Sequence, residues 1–211
     1  MSKTESFVEV LADLKEEEAI RIAKERLEAG EDPLKLVEDC REAMKIVGKR
    51  FEEGTYFIAD LIMAGEILKK ITEMIKPKLK KAGVKYLGKV VIGTVEGDIH
   101  DIGKNIVISM LEANGFEVID LGVDVPPQKF VEAIRKFNPQ VVGMSGLLTL
   151  AFDSMKRTVE AIKEAGLRDK VKIIIGGGTV DEKVKEYVGA DAYGRDPVIA
   201  VSLAKKWVGG E

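Results

Sequence analysis

A chain of 211 residues, 45% hydrophobic and 33% charged with a formal net charge of −3, has room for one or two ordinary domains. It carries no dense basic block, so it lacks the electrostatic footprint of a nucleic-acid or anionic-membrane binder. One cysteine and one histidine exclude a disulfide framework, cysteine-rich zinc or iron-sulfur sites and any site needing paired histidines, so a metal would need carboxylates or would arrive inside a cofactor.

The N-terminal stretch has no basic flank leading to an apolar run and a cleavage site, and no apolar run approaches the ~18 residues of a spanning helix. A cytoplasmic protein is the simplest expectation. Residues 1–85 hold 5 of the 21 glycines and residues 86–211 hold 16, which predicts a helical domain with its linker over 1–85 and a turn-rich domain over 86–211. A first helix is expected from Glu5 to Leu14. A second carries the stripe Ala19, Ile20, Ala23 and Leu27 and stops at Gly30. Asp32-Pro33 opens a third, with Leu34, Val37, Cys40, Ala43, Met44 and Val47 in period up to Phe51; Cys40 on that stripe reads as a buried small hydrophobe rather than a reactive thiol. After a turn over residues 52–55, a fourth helix runs from about Ala59 to Lys76, where Pro77 should end it and a charged linker, 78–85, should follow. Four short-looped helices make a small bundle.

From Leu87 the pattern changes to β-branched runs alternating with helical segments. Strands are expected at Lys89–Val95, Phe116–Leu121, Val141–Ser145, Val171–Ile175 and, weakly, Ala190–Tyr193. Helices are expected at Gly103–Ala113, Pro127–Phe137, Leu150–Ala165, Val180–Tyr187 and Pro197–Trp207. Such alternation predicts a Rossmann-like, flavodoxin-like doubly wound parallel sheet with strand order 2-1-3-4-5. In that fold ligands bind beyond the carboxyl ends of the strands, at the switch point between strands 1 and 3.

The unusual residues sit at those ends. Strand 1 is followed by Gly97-Asp98-Ile99-His100-Asp101-Ile102-Gly103, strand 3 by Ser145-Gly146-Leu147-Leu148-Thr149, and strand 4 by Gly176-Gly177-Gly178. The end of strand 2, residues 121–127, reads as an ordinary βα loop. An imidazole beside a carboxylate can be held in one tautomer, with its other nitrogen free to bind a metal or move a proton. A freestanding divalent metal on Asp98, His100 and Asp101 is a poor set, because no further His or Cys could complete it. Neither a dinucleotide G-x-G-x-x-G nor a phosphate-cradling G-x-x-x-x-G-K-[ST] occurs. Small residues Gly143, Ser145, Gly146 and Gly176 to Gly178 on adjacent strand ends would leave a slot for an elongated ligand moiety.

Asp98-x-His100-x-x-Gly103, then Ser145-x-Leu147, then Gly176-Gly177 resembles the D-x-H-x-x-G, S-x-L, G-G signature of cobalamin-binding domains. Residues 50–58 (RFEEGTYFI) look like the cap segment that accompanies this module in cobalamin-dependent methionine synthase and in the corrinoid proteins of methyltransferase systems. The resemblance implies a helical cap over a Rossmann-like domain holding cobalamin or a related cobamide, bound base-off. It implies His100 as lower axial cobalt ligand and Asp98 as its partner. Gly97, Ile99, Asp101 and Gly103 would approach the cofactor; Ser145, Leu147, Thr149, Gly176, Gly177 and Gly178 would line its tail site, and Phe51 and Ile58 would cover its upper face. The implied chemistry is a methyl shuttle on cobalt between a substrate-specific methyltransferase and an acceptor methyltransferase, with a reductive activase as third partner. One departure stands out: a serine that extends the His-Asp relay in methionine synthase is Ala151 here. A cobalamin sensor, a subunit of a cobalamin-dependent mutase, and a phosphoacceptor or flavin module are the alternatives.

Overall fold

The computed structural model describes residues 6–82 and 86–209. The chain divides into two compact units, Met1–Lys85 and Tyr86–Glu211.

The described part of the first unit is helical, with α1 (Phe7–Ala12), α2 (Glu16–Glu28), α3 (Pro33–Glu52) and α4 (Ile58–Ala82). Helix α1 begins at a capping box: the Ser6 side chain accepts the Glu9 N–H and the Glu9 carboxylate accepts the Ser6 N–H, satisfying two end donors. It therefore starts later than the expected Glu5, which lies outside the described residues. Asp32 caps α3 and Pro33 occupies its first turn, where its missing N–H costs nothing. The stripe Leu36, Cys40, Ala43, Met44 and Val47 is buried, as are Leu61, Leu68, Ile71 and Ile75 of α4, which packs on α3. Each such Leu or Ile contributes about 1.5–3 kcal/mol of burial free energy. Cys40 is only 3% exposed, and burial pushes its thiol up to about 12.

Pro77 does not end α4; it lies inside a helix that continues to Ala82. A proline removes one N–H and crowds one carbonyl, a local cost that tertiary contacts can offset. Here the next residue anchors the extension, with Lys78 Nζ donating to the Leu27 carbonyl of α2. The expected linker 78–85 is thus helical through residue 82, and its remainder lies outside the described residues.

The second unit is built on β1 (Lys89–Thr94), β2 (Glu117–Asp120), β3 (Val141–Ser145), β4 (Lys172–Gly176) and β5 (Ala192–Gly194), all parallel, in the order β2-β1-β3-β4-β5. Between them run α5 (Ile102–Ala113), α6 (Pro127–Phe137), α7 (Ala151–Glu164) and α8 (Glu182–Val188), with α9 (Pro197–Val208) last. Helices α5 and α9 pack together, as do α6, α7 and α8. Sheet residues Val91, Val142, Met144, Ile173 and Ile175 share a core with Phe130, Val131, Met155 and Ile162 of α6 and α7. Both faces are covered, so the strands read as continuous apolar runs rather than alternating ones. Strand limits shift by one or two residues from those expected: Val95 leaves β1 for a single bridge to Val125, and β4 runs one residue further, to Gly176.

The register places the site. Thr94, Ser145, Gly176 and Gly194 stand opposite one another in a single row at the carboxyl ends of β1, β3, β4 and β5. The loops that carry the chemistry-bearing residues leave from this row.

Candidate functional site

After Thr94 the chain makes a tight loop and re-enters the fold as α5. Gly97 takes a left-handed φ of +84°, which a side chain would strain, and Asp98 N–H closes a turn on the Val95 carbonyl. The buried Thr94 hydroxyl donates to the His100 carbonyl at 3.1 Å, tying the loop back to its own strand. His100 therefore sits over the row of strand ends with half of its side chain exposed.

Asp98, two residues earlier, is buried to 1% exposure. Its Oδ1 accepts the His100 backbone N–H at 2.9 Å and faces His100 Nδ1 at 2.7 Å. Its Oδ2 accepts the N–H groups of Leu147 and Leu148, at 2.7 and 3.0 Å, from the loop after β3. Burial alone would push this carboxyl up; the Leu148 and His100 amides, the His100 ring and the Leu147 amide outweigh it and hold Asp98 well below the usual carboxylate range. An ionised carboxylate only accepts, so Nδ1 must donate to it. That fixes the tautomer and leaves Nε2 unprotonated in the neutral ring, a lone pair available to a metal.

His100 borders an open cleft of about 360 Å³, lined by Ile99, Asp101, Ile102, Gly103, Ser145, Gly146, Leu147, Gly177 and Gly178. The glycines that line this cleft or stand on the strands beneath it do different things. Space beyond Gly103 is empty within 4 Å, and a Cβ on Gly176 would meet only the Gly194 carbonyl at 3.6 Å, so these positions leave real volume. A Cβ on Gly178 would come within 3.3 Å of the Leu147 side chain at the rim. Gly143, Gly146 and Gly177 are small for internal reasons and correct the expectation that all of these residues open the slot. The space beside Gly143 is filled by Ile92, and that beside Gly146 by Ala151 and Met155. At Gly177 a Cβ would fall 1.9 Å from the Gly146 carbonyl oxygen. Gly177 also has φ +148°, so it is the close-approach glycine of the set.

The loop after β2 is not an ordinary connection. Asp124 adopts a left-handed φ of +52°, its Oδ1 accepts the Gly97 N–H at 2.7 Å, and its own N–H donates to the Asp98 carbonyl at 3.0 Å. The His100 loop is thus clamped from the β3 side through Asp98 and from the β2 side through Asp124. Lys104 of α5, nearly fully buried, binds both oxygens of Asp120 at 2.7 Å and fixes the start of the helix that follows His100. Sequence reasoning missed Asp124; its only signal was a carboxylate between a glycine and two prolines at a predicted ligand-binding edge.

Other expected residues fall at varied distances from this centre. Asp101 borders the cleft and accepts from the Asn105 side chain at 3.1 Å. Thr149 lies exposed in the loop after β3 and does not border the cleft. Phe51 and Ile58 belong to the first unit: Phe51 is half-buried at the end of α3, and Ile58 opens α4 at 61% exposure. Among the described residues, no group of three or more His, Cys, Asp or Glu could hold a metal ion. Likewise, no described helix is long and apolar enough to cross a membrane.

A B12 binding domain model matches residues 88–202, and a second B12 binding domain model matches residues 4–76. The chain belongs to the B12-binding protein family. Within that family it is 43% identical to trimethylamine corrinoid protein 1 of Methanosarcina acetivorans, over 93% of each chain. It is 35% identical to dimethylamine corrinoid protein 2 of Methanosarcina mazei, over 98% of this chain and 99% of that one. Among solved structures, a cobalamin-binding protein from Desulfitobacterium hafniense is 42% identical with a TM-score of 0.77, covering 95% of this chain and 96% of that one. The methanol:cobalamin methyltransferase complex MtaBC from Methanosarcina barkeri is similar with 30% identity and a TM-score of 0.82, covering 97% of this chain and 79% of that chain. The D-x-H-x-x-G, S-x-L and G-G residues all fall inside the B12-binding match, at the strand ends described above.

Proposed function

We propose that this protein is a corrinoid methyl carrier, with His100 as the lower axial ligand of a base-off cobamide and Asp98 as the group that orients it. The observation that carries this reading is the His100 Nδ1 to Asp98 Oδ1 contact of 2.7 Å beside an open cleft, which leaves Nε2 without a protein partner among the described residues. A corrin brings four cobalt ligands of its own, so a single imidazole suffices. The residues present fit such a group: one oriented imidazole, unfilled space at Gly103 and Gly176, and apolar rim residues Ile99, Ile102 and Leu147.

When bound, the corrinoid supplies a cobalt centre able to accept and hand on a methyl group. The chain's own residues do the rest. His100 holds the lower face through Nε2, and Asp98 keeps the Nδ1 proton in place. Ser145, Leu147, Gly176, Gly177 and Gly178 shape the tail site, with Ile99 and Asp101 around its mouth and Gly97 supplying the turn that carries His100 to it. The helical unit serves as the cap, with Phe51 and Ile58 excluding water from the upper face. Partners are a methylamine-type methyltransferase, an acceptor methyltransferase and a reductive activase; the names of the trimethylamine and dimethylamine relatives support the first. Coverage of nine-tenths or more of both chains in those relatives favours a carrier over a sensor or a mutase subunit.

The test is reconstitution with hydroxocobalamin followed by reduction. With the single histidine 15N-labelled, the wild type should show the splitting of one 15N ligand in its electron paramagnetic resonance spectrum, and His100→Ala should lose any histidine-derived splitting while keeping the circular dichroism of the fold. A protein that takes up no cobalamin, or a wild type whose splitting comes from 14N and is unaltered by the histidine label, would contradict the assignment.

A further inference from the structure

The loop after β2, residues 121–126, does not border the cleft, yet it is laced to the loop that carries His100. Thr94 N–H donates to the Gly122 carbonyl and the Thr94 carbonyl accepts the Val125 N–H, each at 3.0 Å, and Val95 pairs with Val125 in a parallel bridge. These bonds use backbone groups alone. Asp124 adds a side chain: its Oδ1 accepts the Gly97 N–H at 2.7 Å, while its own N–H donates to the Asp98 carbonyl at 3.0 Å. Both bonds grip the His100 loop upstream of the imidazole, as the pairing of Lys104 with Asp120 grips it downstream.

Asp124 is exposed, so burial does not account for its identity. Its φ of +52° is a conformation that glycine adopts freely and an aspartate only with strain. Two positions earlier in the same loop, a left-handed φ of +88° is met by Gly122. A strained, solvent-facing carboxylate at a place where glycine would relax the turn is accounted for by what it holds. It makes a charge-assisted bond to the amide of a glycine whose own φ is +84°.

We propose that Asp124 is a positioning residue for the axial histidine: from outside the cleft, its carboxylate fixes the Gly97-Asp98 segment so that the His100 loop need not be ordered when the corrinoid binds. The inference rests on the corrinoid reading above and extends it to a residue of the β2 loop. Two tasks are divided between two aspartates. Asp98, held by the Leu147 and Leu148 amides, sets the tautomer of the ring, and Asp124 sets where the loop sits.

Asp124→Gly removes the carboxylate and the strain together. Asp124→Ala removes the carboxylate and keeps the strain, whereas Asp124→Asn keeps an acceptor oxygen on a residue that tolerates the left-handed region. In the apoprotein, Gly97 amide exchange should quicken about fivefold in Asp124→Gly and Asp124→Ala, the loss of one exposed hydrogen bond, and stay near the wild-type rate in Asp124→Asn. Absorbance titration with hydroxocobalamin should give a dissociation constant several-fold higher in the first two and close to wild type in Asp124→Asn, although the melting curve of Asp124→Gly stays close to that of the wild type. A residue that only shapes the turn would be replaced by glycine without loss, so Asp124→Gly binding hydroxocobalamin as tightly as the wild type overturns the proposal. Unaltered Gly97 exchange in that variant, or uptake by Asp124→Asn as weak as by Asp124→Gly, overturns it too. Should Asp124→Ala fail to fold, Asp124→Gly and Asp124→Asn decide between them. A wild type that takes up no hydroxocobalamin overturns the corrinoid reading itself, and Gly97 exchange, measured without cofactor, tells that failure from a failure of the clamp.

Discussion

Asp98 concentrates much of the site's electrostatics in one side chain. Four hydrogen bonds converge on a carboxylate with no solvent contact, and they outweigh the desolvation that would otherwise protonate it. A folded-state pKa below that of the unfolded chain means stability that is present above the unfolded value, about 3.9, and is lost as pH falls through the folded value. Asp98→Asn should therefore cost about 2–3 kcal/mol at neutral pH, because its amide presents donors to donors. The difference from wild type should shrink as urea melts are repeated from pH 5 downward; a gap that persists unchanged to the lowest measurable pH would contradict this account. His100 and Asp98 could be singled out in the sequence because they stand two apart in a glycine-containing loop at a predicted strand end. Asp124 could not, since its partner Gly97 is 27 positions away and only the pairing of β1 with β2 brings them together.

At the scale of elements, the loops after β1, β3 and β4 gain their shape from the register of the strands that launch them. Thr94, Ser145 and Gly176 share a row, so a change at one strand end is felt at the next. Gly176 and Gly177 separate space for a ligand from space needed by the backbone. Gly176→Ala places a methyl group 3.6 Å from a carbonyl and should leave the apoprotein melting temperature nearly unchanged while weakening cobalamin uptake. Gly177→Ala cannot avoid the Gly146 carbonyl and should destabilise the fold by about 2 kcal/mol or more, whether or not cofactor is present. Parallel melting curves and absorbance titrations of the two variants check this; equal effects on stability would contradict it. The elements themselves were largely legible, because periods of 3.6 and short β-branched runs are local signals. Pro77 departs from its local signal for the opposite reason. Its effect depends on whether tertiary contacts carry the helix past it, and the Lys78 to Leu27 contact joins residues 51 apart.

Over the whole molecule, two cores form from different kinds of packing. The first unit buries helix stripes such as Met44, Leu61 and Ile71, and the second buries a sheet between helices around Val142, Met155 and Ile173. Each has its own probe. Cys40 in the first unit is 3% exposed with its thiol pushed up to about 12, so it should resist thiol reagents at neutral pH until that unit opens. Trp207, on α9, reports the second by fluorescence. With separate cores the apoprotein should show two distinct urea transitions, one by thiol exposure and one by fluorescence. Bound cobalamin should raise the fluorescence-detected transition, by about 2.7 kcal/mol at a hundred times its dissociation constant. Coincident apoprotein transitions, or a second unit indifferent to cobalamin, would count against this picture.

The sequence by itself determined the helical segment followed by a parallel α/β segment, the strand order, and the edge where His100, Ser145 and Gly176 gather. These follow from hydrophobic period, chain order and the handedness of βαβ crossovers, all of which are written locally. Only the tertiary structure decided which glycines open space and which merely let backbones touch, and that the β2 loop braces the His100 loop through Asp124. Those outcomes depend on distances between residues tens of positions apart, and a distance of that kind exists only once the chain has packed.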